Sequence, residues 1–472
     1  MSKWIWLSVV LLPGATTSPA RADEPIEIGS RRELLVDDHL IEQFVGRAEL
    51  RLHRPTPREV AIVHDKPWEG NVCFYHTVFR DGDRYRMYYR GAHHDWEKKR
   101  VTHQVVCYAE SEDGIRWTKP ELGIVEFGGS KKNSILWDGP GSHNFAPFKD
   151  TNPACKPEAA YKAIAGGTGG LYPFESPDGI HWSLSSDAPV ITKGAFDSQN
   201  LAFWDEVRGL YADYHRMGRD GVRDIMTATS TDFLHWTEPV FLEYPGAPKE
   251  HLYTNQIQPY YRAPHVLLGF PKRFVPSRKS PIGHPLPGVS DVVFMTSRDG
   301  QRFRRWTEAW IRPGPQPERW VCRNNFVAWG MVETQSALDG APEELSFYSV
   351  EGYYQGETCQ VRRYTLRIDG FVSLGAPASG GEVVTRPITF EGSELALNFS
   401  TSAAGGIRVE LQNRAGEPLE GFSLADCPEI FGDTLERVVS FGGGTDISKL
   451  SGQPIRLRFV LHDADLFSFR VK

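Results

Sequence analysis

The sequence is short of cysteine, of clustered basic charge and of long apolar runs. Six cysteines occur in 472 residues, Cys73, Cys107, Cys155, Cys322, Cys359 and Cys427, and none stands in a C-x-x-C spacing. That removes the usual zinc and thioredoxin-type readings. No block of five basic residues occurs, and 60 Asp and Glu outnumber 53 Lys and Arg for a net charge of −7. Nucleic acid has no electrostatic footing on such a chain. The glycine-rich stretch Gly166-Gly167-Thr168-Gly169-Gly170 lacks both the Lys-Ser/Thr of a P-loop and the Rossmann spacing, and no Gly-x-Ser-x-Gly elbow occurs. His93-His94-Asp95 has no third metal ligand placed by spacing and reads as a polar loop.

The single long apolar run is at the amino terminus. Residues 1–22 carry no acidic residue, Lys3 precedes the apolar stretch Trp4 to Leu12, and Ala20-Arg21-Ala22 has the small-x-small pattern of a cleavage site. This is the pattern of a secretory signal peptide, too short to span a bilayer. A secreted or periplasmic protein is expected, with no membrane span in the mature chain. Loss of Lys3 and Arg21 would take its net charge from −7 to −9. Export permits disulfides. Cys73 with Cys107, and Cys322 with Cys359, are candidate pairs, and buried free thiols are the alternative.

What the chain has in quantity is turn formers and aromatics: 45 Gly, 33 Pro, 13 Trp, 17 Tyr and 26 Phe. That composition favours many short strands over long helices. The turn formers are periodic. Ser111-Glu112-Asp113-Gly114-Ile115-Arg116-Trp117 returns as Ser176 to Trp182, Ser230 to Trp236 and Ser297 to Phe303, and in weaker form as Arg367-Ile368-Asp369-Gly370-Phe371. Upstream of each copy an Asn leads an apolar strand: Asn71, Asn144, Asn200, Asn255 and Asn325. Five such units read as the blades of a five-bladed β-propeller, with Asp-Gly at the turn after the third strand and the aromatic between blades. Of the early strands, Leu34-Leu35-Val36 or Leu50-Arg51-Leu52-His53 is expected to complete the fifth blade. Past Gly370 the pattern becomes a period-two alternation with Gly-rich turns, which predicts an antiparallel β-sandwich. The expected division is an all-β chain of signal peptide 1–22, propeller 23–375 and sandwich 376–472.

These turns, above all Ser230 to Trp236 followed by Thr237-Glu238-Pro239, resemble those of the five-bladed glycoside hydrolase families 32, 43, 68 and 130. A carboxyl-terminal β-sandwich is likewise similar to family 32. The resemblance implies a carbohydrate-active protein acting on an oligo- or polysaccharide. The family 32 catalytic motifs are not conveyed with it. Their places hold Trp68-Glu69-Gly70-Asn71, His143-Asn144-Phe145 and Asp197-Ser198-Gln199-Asn200.

Residues just before each inner strand should meet at the mouth of the ring. Glycoside hydrolysis needs one ionised and one protonated carboxyl group. The expectation is Asp197 as base or nucleophile, Glu250 as acid and Glu69 as stabiliser or alternative base. Trp68, His143, Asp150, Gln199, Tyr253 and Glu333 are candidate substrate contacts. The five Asn anchors either bind sugar hydroxyls or tie blades together. Arg90, Arg216 and Arg273 follow second strands; turned inward, they would hold a uronate or sulfate. A non-catalytic glycan-binding propeller is the alternative, and a lyase using Tyr253 or His143 as base is a third. No cofactor is called for; an axial calcium ion is compatible with a propeller, with no residue assigned to it. Oligomeric state is not legible.

Overall fold

The computed structural model describes residues 24–472, and the expected signal segment 1–22 lies outside the described residues. Blades 1 to 3 are four-stranded antiparallel sheets. Blade 1 comprises Phe74–Asp81, Arg84–Asp95, Arg100–Ser111 and Ile135–Trp137; blade 2 comprises Ala146–Lys149, Tyr161–Gly167, Gly170–Ser176 and Ser183–Leu184; blade 3 comprises Leu201–Asp205, Leu210–Arg219, Val222–Ser230 and Val240–Phe241. In blade 4, built on Gln258–Tyr260, Ala263–Gly269, Val289–Ser297 and Arg304–Ile311, the second strand breaks at Phe270-Pro271 and resumes as Lys272–Val275. Proline has no N–H to give the ladder, so the break falls there.

Blade 5 is closed by the start of the chain, though not by the segments expected. Phe326–Val327, Glu344–Glu351 and Cys359–Arg367 are joined on the outside by Thr56–His64. The two strands that the sequence offered for this role pair elsewhere: Glu33–Leu34 with Arg456–Val471, and Glu49–Leu52 with Val372–Ala376. The closing strand is a largely solvated outer edge containing Pro57, Arg58 and Glu59, so it lacks the apolar alternation that marks a strand in sequence.

The four well-matched turns share one geometry. In the first, Ser111 Oγ donates to Asp113 Oδ1 at 3.0 Å and accepts from the Gly114 N–H at 2.9 Å, and Asp113 Oδ1 accepts from the Ile115 and Arg116 N–H groups at 2.8 Å. The same bonds recur at Ser176, Ser230 and Ser297. The fourth residue of the turn takes positive φ, which suits Gly114, Gly179 and Gly300; Phe233 adopts it at φ 70°. The turn is also a joint. Tyr88 of blade 1 donates to Gly179 O in blade 2 at 3.0 Å, and Tyr214 of blade 3 to Gly300 O in blade 4 at 2.8 Å. Tyr348 of blade 5 makes the equivalent bond to Gly114 O in blade 1. The fifth copy departs from the pattern. Asp369, not Gly370, has positive φ, and its carboxylate accepts from Tyr260, Asn398 and Ser468. It joins the propeller to the C-terminal unit.

That unit is an eight-stranded antiparallel sheet. Leu395–Gln412 and Arg456–Val471 run along it as paired long strands, bulging where the ladder skips from Thr401 to Gly406. Asp433–Val438, Gly381–Thr385 and Val372–Ala376 flank them. Three amino-terminal strands, Glu33–Leu34, Ile41–Gly46 and Glu49–Leu52, belong to this sheet rather than to a blade, although they fall inside the 23–375 expected for the propeller. One apolar cluster that includes Phe399, Val409, Leu457, Phe459 and Phe469 forms its core. All six cysteines are free, so neither candidate pair is bonded; Cys359 lies instead against Cys73, its thiol 3.6 Å from the Cys73 carbonyl.

Candidate functional site

The segments that lead into the inner strands converge at one end of the ring. The five Asn side chains bind backbone there. Asn71 Nδ2 donates to His94 O and Gly356 O at 3.2 and 3.0 Å; Asn144 Nδ2 donates to Phe196 O and Ser198 O at 2.5 and 2.6 Å. Asn200 Nδ2 donates to Ser198 O at 2.9 Å, Asn255 Nδ2 to Tyr214 O at 3.1 Å and Asn325 Nδ2 to Ser290 O at 2.9 Å. Asn71, Asn144, Asn255 and Asn325 each reach the backbone of a neighbouring blade, as the blade-tying reading expects, whereas Asn200 bonds only within its own lead-in, to Phe196 O and Ser198 O. Gln199 crosses beneath the mouth: its Nε2 donates to Tyr75 O and His76 O at 3.2 Å, and its Oε1 accepts from Gln256 Nε2 at 2.6 Å. This bonded layer is the floor of the site.

Above the floor stand Tyr75, Tyr253, Phe326 and Tyr353. Tyr75 has φ 56°, and Gln256 and Asn325 at the equivalent starts of blades 4 and 5 have φ 47° and 60°. Positive φ in a bulky residue is strained by about 1–3 kcal/mol and persists only where surrounding contacts hold it. Here the Tyr75 hydroxyl donates to Asp197 O at 2.8 Å and lies 3.1 Å from the Tyr253 hydroxyl. Asp197 is thereby held on the rim by its backbone. Its exposed side chain is paired with Arg216, whose guanidinium lies over the Tyr253 ring at 5.1 Å. On one side of Asp197 is a cavity of about 240 Å³ also lined by Arg223, Tyr253, Lys272, Phe274 and Arg323. On the other is a cavity of about 560 Å³ lined by His143, Gly166, Thr192 and Phe196 among others. Among the described residues Asp197 is the single carboxylate lining either one.

The other expected acids are elsewhere and have partners in the fold. Glu69 is buried; its Oε1 accepts from Tyr89 at 2.6 Å and lies 3.2 Å from His64 Nδ1, while Oε2 accepts from Lys119 at 2.7 Å and the Lys66 N–H at 2.8 Å. Burial alone would raise its pKa, but the His64 hydrogen bond and the Lys119 charge overcome this and hold it at about 2. Glu250 is bound by Arg273 at 3.1 Å and by Arg305, and it lines a separate cavity of about 740 Å³. Asp150 and Glu333 lie past the far ends of inner strands, Asp150 bonded to Lys162 and Tyr211 and Glu333 to Tyr261. Trp68 is half-buried on blade 1, donating to Ser134 Oγ at 3.3 Å.

The arginine expectation divides by register. Arg90 and Arg216 turn toward the mouth: Arg90 Nη1 lies 3.5 Å from the Tyr353 hydroxyl. Arg273 turns away and grips Asp291 with both Nε and Nη2, at 2.9 and 2.7 Å. Its neighbour Lys272 takes the inward place, since adjacent strand residues face opposite sides. Lys272 Nζ is buried 3.7 Å from the Phe326 ring centroid and donates to Cys322 O at 2.5 Å. Burial, reinforced by the charges of Arg323 and Arg223, lowers its pKa well below the ordinary lysine value. Burial and the Arg90 charge likewise push His143 down to about 3, so its imidazole is neutral in ordinary buffers. Lys272, Arg223, Arg323, Tyr75 and Tyr353 went unnoticed in the sequence. The face of Arg223 was the most readable: it lies on the same face of one hairpin as Arg216, whose partner Ile225 is two residues away.

Among the described residues no group of three or more His, Cys, Asp or Glu side chains gathers as a metal site. His94 of the His93-His94-Asp95 stretch packs on Trp96 and Tyr354, and Asp95 pairs with Lys98.

No protein-family model matches the chain. No curated protein matches it. Among solved structures the chain is similar to a glycoside hydrolase, 16% identical with a TM-score of 0.44, covering 66% of this chain and 92% of that one. It is similar also to a GH130 structure from work on mannoside phosphorylases and glycoside hydrolases that target beta-1,2 mannosidic linkages in Candida mannan (15%, TM-score 0.42, 71% and 96%). A third is the catalytic domain of the Coprinopsis cinerea GH62 alpha-L-arabinofuranosidase (11%, TM-score 0.42, 66% and 97%). The propeller assignment rests on the five sheets of this chain itself.

Proposed function

We propose that this is a glycoside hydrolase-like propeller that takes an oligo- or polysaccharide at the mouth of the ring, with Asp197 as the group that acts on the glycosidic bond. The observation that carries the reading is the placement of Asp197. It is an exposed carboxylate on a rigid rim, oriented by Arg216 and set among tyrosine faces on which sugar C–H surfaces can stack. A two-carboxylate mechanism asks for a second acid about 5–9.5 Å away. Neither Glu69 nor Glu250 supports that role, because the oxygens of both are taken up by cations and hydroxyls of the fold.

A second reading, a glycan-binding propeller without turnover, draws support from the same solitary carboxylate. The discriminating experiment is a glycan panel assayed for both binding and product release, with wild-type protein and Asp197→Asn. Turnover by the wild type that falls at least about a hundredfold in the variant, with binding kept, supports the enzyme. Binding without product in either supports the second reading. Equal turnover in both removes Asp197 from the chemistry.

A further inference from the structure

The mouth holds far more positive charge than it uses. Arg90 and Lys272 are almost wholly buried, with relative exposures of 4% and 3%, and Arg223 and Arg323 are half-buried beside them. Among the described residues none of these four has a carboxylate partner; their contacts are aromatic faces, a hydroxyl and a carbonyl. Arg216, exposed by 8%, is the one cation of the cluster that is paired, to Asp197. The Nε groups of Arg90 and Arg216 are buried and make no hydrogen bond.

A protein does not bury unpaired cations without cost. Each loses hydration worth several kcal/mol, and like charges at close range add to the loss. Elsewhere in this fold such charges are compensated: Arg363 is matched by Glu59, Arg298 by Glu33 and Asp37, and Arg362 by Glu351. The mouth is the exception. The guanidiniums of Arg223 and Arg323 and the ammonium of Lys272, without carboxylate partners in a cavity also lined by Tyr253, are complementary to an oxyanion carried on a sugar ring.

We infer that the mouth is built for an acidic saccharide, whose carboxylate or sulfate-ester group is received by Arg223, Arg323 and Lys272 in the cavity beside Asp197. This rests on the reading of the mouth as a carbohydrate site and narrows it to a charge class. The two anion sources share one chemistry and differ in shape, a planar carboxylate against a tetrahedral sulfate.

The test is calorimetric titration of the full chain with length-matched oligogalacturonate, a sulfated galactan oligomer and neutral mannan and xylan oligomers, at two ionic strengths, with inorganic phosphate as a separate titrant. Arg323→Gln and Lys272→Met are the variants. Arg323 is half-buried, so its loss is tolerated by the fold; the Met in place of Lys272 keeps the contact with Phe326. One or both acidic oligomers should bind at least about tenfold more tightly than the neutral ones and weaken as salt rises. Each variant should lose about tenfold for the acidic oligomer and less than about twofold for a neutral one. The sulfate and uronate arms identify which anion is taken. Equal affinity for neutral and acidic oligomers, unchanged in both variants, overturns the inference and leaves a carbohydrate site standing. Binding of inorganic phosphate in preference to every oligomer, lost in the variants, also overturns it, because the anion is then not carried on the sugar. Binding of no oligomer and no phosphate overturns both readings together.

Discussion

Asp197 and Glu69 bring the same functional group into opposite surroundings. Glu69 is buried and has four partners, so Glu69→Gln leaves Lys119 with Asp65 as its remaining anion and His64 with none; a loss of about 3 kcal/mol in unfolding free energy is expected by denaturant titration. Its folded pKa of about 2 lies below the ordinary glutamate value of 4.5. The unfolded state therefore binds the proton first on acidification. The stabilisation is complete above pH 4.5 and drains away as pH falls toward 2, and the slope of stability against pH in that window should flatten in the variant. Asp197→Asn, on the rim, should leave the melting temperature within about 2 °C of wild type while, on the proposed enzyme reading, turnover falls at least about a hundredfold. His143 offers an independent reading of the mouth's charge. In wild type its imidazole resonances should stay in the neutral form down to about pH 4. In Arg90→Gln, with one of the two lowering influences gone, its NMR titration should move upward. An unmoved titration would place the Arg90 charge too far away to matter.

At the scale of elements, the Ser-x-Asp turn and the cross-blade tyrosine form one joint. Ser176→Ala removes an acceptor from the Gly179 and Asp178 N–H groups, and Tyr88→Phe removes the donor to Gly179 O from the neighbouring blade. Each should cost about 1–2 kcal/mol, and the double variant less than the sum, since both act on Gly179. The turn was legible because Ser, Asp, Gly and Trp at fixed offsets are each demanded by a local bond or by a positive φ. The partner tyrosine was not, because it comes from a different blade at a separation that no local pattern encodes. Side-chain direction was lost for a related reason. Arg273 and Lys272 differ by one position, and only the break at Phe270-Pro271 decides which of them faces the mouth. The carboxylates fared similarly: loop position in the sequence located Glu69, Asp197 and Glu250 near inner-strand starts, but the partners that neutralise two of them, Lys119 and Arg305, lie 50 and 55 residues downstream.

The whole molecule is stitched across its two units. Leu34 and Val36 sit in one apolar cluster with Phe270, Trp310 and Phe347 of blades 4 and 5 and with Phe371. Arg298 of blade 4 pairs with Glu33 and Asp37, and Arg32 lies 3.5 Å from Asp369. Calorimetry should therefore show a single unfolding transition, and a chain starting at residue 66, without the closing strand, should fail to give one. Two separate transitions in the intact chain would mean that this seam is weak. The number of blades was readable from the repeats. Which piece of chain closes the ring was not, because an outer edge strand is selected by pairing with Cys359–Arg367 rather than by burial of its own side chains.

The closure carries a consequence for the order of events in the cell. Thr56–His64 waits for Cys359–Arg367, and Glu33–Leu34 waits for Arg456–Val471, each about 300 residues or more downstream. At about 5–20 residues per second the ribosome takes some tens of seconds to supply those partners. Through that interval the first strands have unpaired edges, and blades 1 to 4 can form only an open arc. The ring can therefore close only once Cys359–Arg367 has been made, and Thr56–His64 depends on remaining unpaired with anything else until then.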